Sequence, residues 1–126
     1  MAEEKKVKIA LIEDEKFLLG AMRDKLEREG FDVHTATNGE IGLEVIKKEK
    51  PALILLDLIM PIKSGFDVLE ELQKDSELKK IPVIILSNLG QESDIEKGKE
   101  LGATDYLIKA NFKMKEVIAK VREHLK

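Results

Sequence analysis

A run of large aliphatic residues, Leu53-Ile54-Leu55-Leu56, stops at a single carboxylate, Asp57, and is followed by Leu58-Ile59-Met60-Pro61-Ile62-Lys63-Ser64-Gly65. A segment with no polar alternation reads as a strand covered on both faces, the pattern of strands in parallel sheets. Pro61 and Gly65 then break regular structure. Open α/β sheets bind their ligands just beyond the carboxyl ends of the strands, which is where Asp57 emerges. This stretch therefore demands helices on both sides of a sheet and makes Asp57 the expected chemical centre.

The rest of the chain supplies that frame. Val7 to Ile12 is a β-rich run ending in Glu13-Asp14-Glu15, and Asp14 is a candidate N-cap for the segment behind it. Phe17, Leu18, Ala21, Met22 and Leu26 recur with helical spacing up to Gly30, a natural stop. Phe31 to Thr37 reads as a second strand, and Asn38-Gly39 opens a helix carrying Ile41, Leu43, Val45 and Ile46 that ends before Pro51. Ser64 is the expected cap of a third helix bearing Phe66, Val68, Leu69 and Leu72. Ile81 to Leu86 reads as the fourth strand, with Ser87-Asn88-Leu89-Gly90 leaving it as a loop. The helix over Gln91 to Leu101 holds few large apolar residues and is expected to be the most loosely packed. Thr104 to Ile108, ending at Lys109, is the fifth strand, and Met114, Val117, Ile118, Val121 and Leu125 mark the last helix.

Five alternations of strand and helix with short links specify an α/β fold with a parallel sheet. The expected architecture is a flavodoxin-like, doubly wound five-stranded sheet in the order 2-1-3-4-5 with five helices, occupying residues 1–126 as one domain. The last helix reaches the final residue, so no output domain is expected within this sequence. The 22 basic and 25 acidic residues leave a net charge of -3, which argues against a nucleic-acid or membrane surface. The absence of cysteine excludes a thiol nucleophile or a cysteine zinc site, and no apolar run is long enough for a membrane span or a signal peptide. A cytoplasmic location is the expectation.

The strand ends converge in this order. Strand 1 delivers Glu13 and Asp14, strand 3 Asp57, strand 4 Ser87 and strand 5 Lys109. Clustered carboxylates repel one another, and a hard divalent cation with oxygen preference, Mg²⁺, relieves them. A carboxylate nucleophile with a Mg²⁺, an ammonium and a hydroxyl is a set suited to receiving a phosphoryl group.

With these motifs at these spacings, the sequence resembles receiver domains of two-component response regulators over essentially its whole length. The resemblance implies that Asp57 is phosphorylated from a phosphohistidine on a sensor histidine kinase or a histidine phosphotransferase. It implies that Asp14, Asp57 and the main-chain carbonyl of Ile59 bind Mg²⁺, with Glu13 acting through water. Lys109 would pair with the aspartyl phosphate, and Ser87 would bond a phosphoryl oxygen. Tyr106 would turn inward, remodelling the face of helix 4, strand 5 and helix 5 toward a downstream protein target. Such a domain assists its own phosphorylation and dephosphorylation without being a metabolic enzyme.

Three positions depart from the family's commonest pattern: Glu13 in place of Asp, Asn88 in place of a small residue, and Ala110 in place of Pro. The Lys109–Ala110 bond is accordingly expected to be trans, a non-proline cis bond costing about 3 kcal/mol. The alternatives are a pseudo-receiver, an interaction module that is not phosphorylated, and a phosphatase of the haloacid dehalogenase type. The latter carries a second Asp two positions after its nucleophile, where this chain has Ile59. A nucleotide- or flavin-binding role lacks a glycine-rich loop after the first strand.

Overall fold

The computed structural model describes residues 6–125. They form a five-stranded parallel sheet in the order β2-β1-β3-β4-β5, made of β1 (Lys8–Ile12), β2 (Asp32–Ala36), β3 (Leu53–Leu56), β4 (Val83–Ser87) and β5 (Asp105–Ile108). Five α-helices connect and follow them: α1 (Lys16–Arg28), α2 (Gly39–Glu49), α3 (Gly65–Gln73), α4 (Glu92–Glu100) and α5 (Met114–His124). The expected order and helix count are both borne out. Two 3₁₀ turns, Leu78–Lys80 and Lys109–Asn111, were not expected from the pattern.

Strand β3 explains its own composition. Ile54 and Leu56 face a core built with Leu43 and Ile46 of α2 and Val68, Leu69 and Leu72 of α3. Leu53 and Leu55 face the opposite core, with Leu19, Met22 and Leu26 of α1 and Val117, Ile118 and Val121 of α5. All four strand residues are 0–1% exposed. Each such burial is worth roughly 1.5–3 kcal/mol, so a polar residue on either face would open a core.

Helix ends are fixed by local chemistry. Asn38 accepts from the Ile41 amide at 2.9 Å, and Ser64 and Asp67 form a reciprocal capping box. A cap of this kind is worth about 1 kcal/mol. Gly30, at φ +97°, follows the end of α1 in the left-handed region that glycine occupies without strain.

Some expectations shift. Glu15, not Asp14, is the N-cap residue of α1, and it makes no side-chain cap; the Glu15 amide instead donates to Glu13 Oε2 at 3.0 Å. That arrangement leaves the Asp14 carboxylate free. Phe17 belongs by spacing to the apolar stripe of α1 but is 92% exposed. Strand β4 starts after Pro82 and includes Ser87, which was expected in the loop. Val7 lies outside β1 and is exposed. Both histidines are half-buried: His124 lies 2.9 Å from Asp105 and His34 lies 3.1 Å from Asp32. Helix α4 matches its expectation, since Gly98 is its one buried residue.

Candidate functional site

Register brings the chemistry together. Ile12 pairs with Leu56, so Glu13 and Asp57 leave adjacent strands side by side, and the Asp57 amide donates to the Ile12 carbonyl at 2.9 Å. Ser87 pairs with Ile108, which places Lys109 one residue beyond it on the next strand. Carboxylate oxygens of Glu13, Asp14 and Asp57 lie within 4.8 Å of one another. Glu13 and Asp57 are buried, at 2% and 6% exposure. An open pocket of about 220 Å³ is lined by Asp14, Glu15, Asp57, Ile59, Ser87, Asn88 and Lys109.

Lys109 organises the charges. Its Nζ lies 2.7 Å from Glu13 Oε1, 3.2 Å from Asp57 Oδ2 and 3.6 Å from Glu15 Oε2. The other Asp57 oxygen, Oδ1, accepts from the Leu58 amide at 2.7 Å. Burial opposes the Lys109 ammonium, but the Glu13 hydrogen bond and the Asp57 charge outweigh it and hold its pKa above the ordinary value. For Glu13 the balance is reversed: burial pushes its carboxyl from 4.5 up to about 7 against the bonds from Lys109 and the Glu15 amide. The asymmetry is physical, since one ammonium is shared among several carboxylates and Glu13 is the most enclosed of them.

This has a consequence for stability. The unfolded chain ionises Glu13 above about 4.5, while the folded chain keeps that proton to about 7. Between those limits the folded state binds more protons, so metal-free stability falls as pH rises from about 4.5 to about 7 and levels off above it. The loss attributable to this group is on the order of 3 kcal/mol. Urea unfolding at pH 5 and pH 8 measures it, and Glu13→Gln should flatten the profile; an equally steep profile in the variant would remove Glu13 as its cause.

Of the residues expected at the site, Glu13, Asp14, Asp57, Ile59, Ser87 and Lys109 all surround or line it. The Ser87 hydroxyl accepts from the Leu89 amide at 3.3 Å. Tyr106 stands further off, half-buried, with its hydroxyl donating to the Leu89 carbonyl and its ring beside Gly98 of α4. Burial, then the charges of Asp94 and Asp57, raise its phenol to about 12. No cis peptide occurs among the described residues, so the Lys109–Ala110 bond is trans as expected. Glu15 also lines the pocket and faces Lys109, a role its adjacency to Glu13-Asp14 in sequence could have signalled.

The donor set of carboxylates with a neighbouring main-chain carbonyl is hard oxygen, and it fits Mg²⁺ better than a softer ion. A doubly wound parallel sheet with an acidic cluster and a lysine at its carboxyl edge defines the flavodoxin-like class, with its candidate site at the switch point of the strand order. The family model of the response regulator receiver domain matches residues 9–122, and the chain belongs to that family.

Among curated relatives, a probable transcriptional regulator ycf27 of Pyropia yezoensis is 40% identical over 98% of this chain and 49% of its own length. Its counterpart in Porphyridium aerugineum is 40% identical over 96% of the chain and 49% of its own length. The chain thus spans about half the length of the curated relatives it matches. A receiver domain of Francisella response regulator 1452 superposes with a TM-score of 0.87 at 30% identity, covering 95% of this chain and 97% of the other. The BeF3-activated N-terminal receiver domain of Klebsiella pneumoniae RstA gives 0.86 at 29%, covering 94% and 98%. No helix of the described residues is long and apolar enough to cross a membrane.

Proposed function

We propose that this chain is a phosphoacceptor switch in which Asp57 takes a phosphoryl group from a phosphohistidine on a histidine kinase or histidine phosphotransferase. The observation that carries the reading is the buried Asp57 with Lys109 Nζ 3.2 Å from one oxygen and the acidic cluster of Glu13 and Asp14 beside it. An Asp57 oxygen attacks phosphorus, the P–N bond breaks, and its electron pair returns to the donor imidazole. Lys109 neutralises charge on the phosphoryl oxygens, and Ser87 offers its hydroxyl to one of them. Asp14, Asp57 and the Ile59 carbonyl would hold Mg²⁺, with Glu13 through water; bound there, the ion supplies charge stabilisation for the transferred group.

Asn88, exposed at the rim, narrows access and slows small donors and attacking water. The output is a change in the α4-β5-α5 face, recognised by a protein target. Helix α4 is the part able to move, since it buries only Gly98 and is otherwise tethered by the Lys97 ammonium 4.4 Å over the Phe66 ring.

The decisive experiment incubates the protein with Mg²⁺ and phosphoramidate, and separately with an autophosphorylated histidine kinase, and reads intact mass. One phosphoryl increment on wild type and none on Asp57→Asn is the expected outcome. No increment from either donor overturns the reading in favour of the pseudo-receiver alternative.

A further inference from the structure

The segment that carries Ile59 is thin. Ile59, Pro61 and Ile62 are exposed, and Met60 is the only residue between Ile59 and Ser64 that is buried. Lys63 closes a tight turn by donating its amide to the Pro61 carbonyl at 2.7 Å, which forces Ile62 to φ 70°. Such a conformation is unfavourable for a β-branched residue, so the turn persists only if other contacts hold it. One is the Gly65 amide, which donates to the Leu58 carbonyl at 2.9 Å. The other comes from outside the segment: the Gly39 amide donates to the Lys63 carbonyl at 3.1 Å.

Gly39 is the first residue of α2, and an amide at that position has no partner within its own helix. Here it is spent on the β3–α3 loop. The approach is close enough to exclude a side chain. A methyl carbon built on Gly39 would lie 2.8 Å from the Lys63 carbonyl carbon, and nearer still to its oxygen. Helix α2 cannot readily retreat, since Leu43 and Ile46 are 4% and 0% exposed. Asn38, 7% exposed, fixes its first turn, and Gly42 rests directly on the Ile12 side chain. The exposed loop is the part that yields.

We infer that Gly39 is a positioning residue for the metal site: the first turn of α2 braces the Lys63 carbonyl and thereby sets where the Ile59 carbonyl points. The inference rests on the Mg²⁺ reading of the acidic cluster. It assigns the β2–α2 turn, remote in sequence from every residue of the site, a share in Mg²⁺ affinity. The Lys63–Glu71 ion pair is not part of the brace, because it holds a side chain and not the carbonyl.

Titration calorimetry with MgCl₂ on wild type, Gly39→Ala and Glu71→Gln tests it. Alanine suits a first helical turn at least as well as glycine, so any loss must come from the collision with Lys63. Gly39→Ala should weaken Mg²⁺ about tenfold, the scale of outer-shell substitutions at metal sites. Glu71→Gln should leave the affinity within twofold of wild type.

A second readout needs no variant. By reciprocity, Mg²⁺ binding should slow hydrogen exchange of the wild-type Gly39 amide. Unchanged affinity in folded Gly39→Ala, or unchanged Gly39 exchange on Mg²⁺ binding, overturns the brace alone. Wild type that binds no Mg²⁺ overturns the metal reading, and the brace with it.

Discussion

Lys109→Ala should lose about 3 kcal/mol of unfolding free energy at pH 8 in the absence of Mg²⁺, the cost of breaking a buried ion pair from one side. The Lys109 side chain is 13% exposed, and its partners on Glu13 and Asp57 are 2% and 7% exposed. Removing the ammonium leaves those carboxylates facing each other with little solvent between them. Two interventions should return much of the stability: saturating Mg²⁺, which replaces the lost positive charge, and pH 5, which lets Glu13 protonate. Phosphoryl transfer should fall by about a hundredfold even when Mg²⁺ restores the fold, since a group that meets developing charge is gone. Urea unfolding with and without Mg²⁺ measures the first effect, and a timed phosphorylation assay the second. Stability unchanged in metal-free buffer would show that Lys109 does not balance the acids.

Gly65→Ala should be as damaging for a different reason. A methyl carbon at Gly65 would stand 2.8 Å from the Leu58 Cα and closer to the Asp57 carbonyl oxygen, both of them main chain. Main-chain atoms cannot rotate away, so either α3 lifts from the sheet or the strand end carrying Asp57 is displaced. Overpacking of this kind costs about 3 kcal/mol, and the surviving folded fraction should accept phosphate poorly. Gly20→Ala provides the comparison. It sits within α1 with nothing within 4 Å of an added methyl, so alanine there should stabilise by up to about 1 kcal/mol. Thermal melts of the two variants read the contrast; equal melting temperatures would mean that the Gly65 contact relaxes freely.

These two sites also show what the sequence discloses and what it withholds. Strand β3 was legible because its residues are apolar on both faces, a pattern with few structural interpretations. The convergence of Asp57 with Glu13, Asp14, Ser87 and Lys109 followed from the strand order, since all lie at the carboxyl ends of neighbouring strands. Phe17 was misread because helical spacing says which residues share a face, not how far along the helix that face is covered. Asp14 was misread as a cap because cap preference is local, while the helix itself begins one residue later, after Glu15. The contact of Gly39 with Lys63 was invisible for a deeper reason: hydrogen bonds between loops leave no periodic trace. A glycine after Asn38 reads equally well as ordinary turn chemistry.

Helix α4 meets the sheet through Gly98, where an added methyl would stand 2.7 Å from Ile85 Cδ1 and 3.3 Å from the Tyr106 ring. Its height above β4 and β5 is therefore set by backbone thickness and not by interlocking side chains. A shim of one or two carbons at position 98 would raise the helix in graded steps while leaving its outer surface unaltered. That makes a single residue, invisible to any binding partner, an adjustable stop on the travel of the whole element.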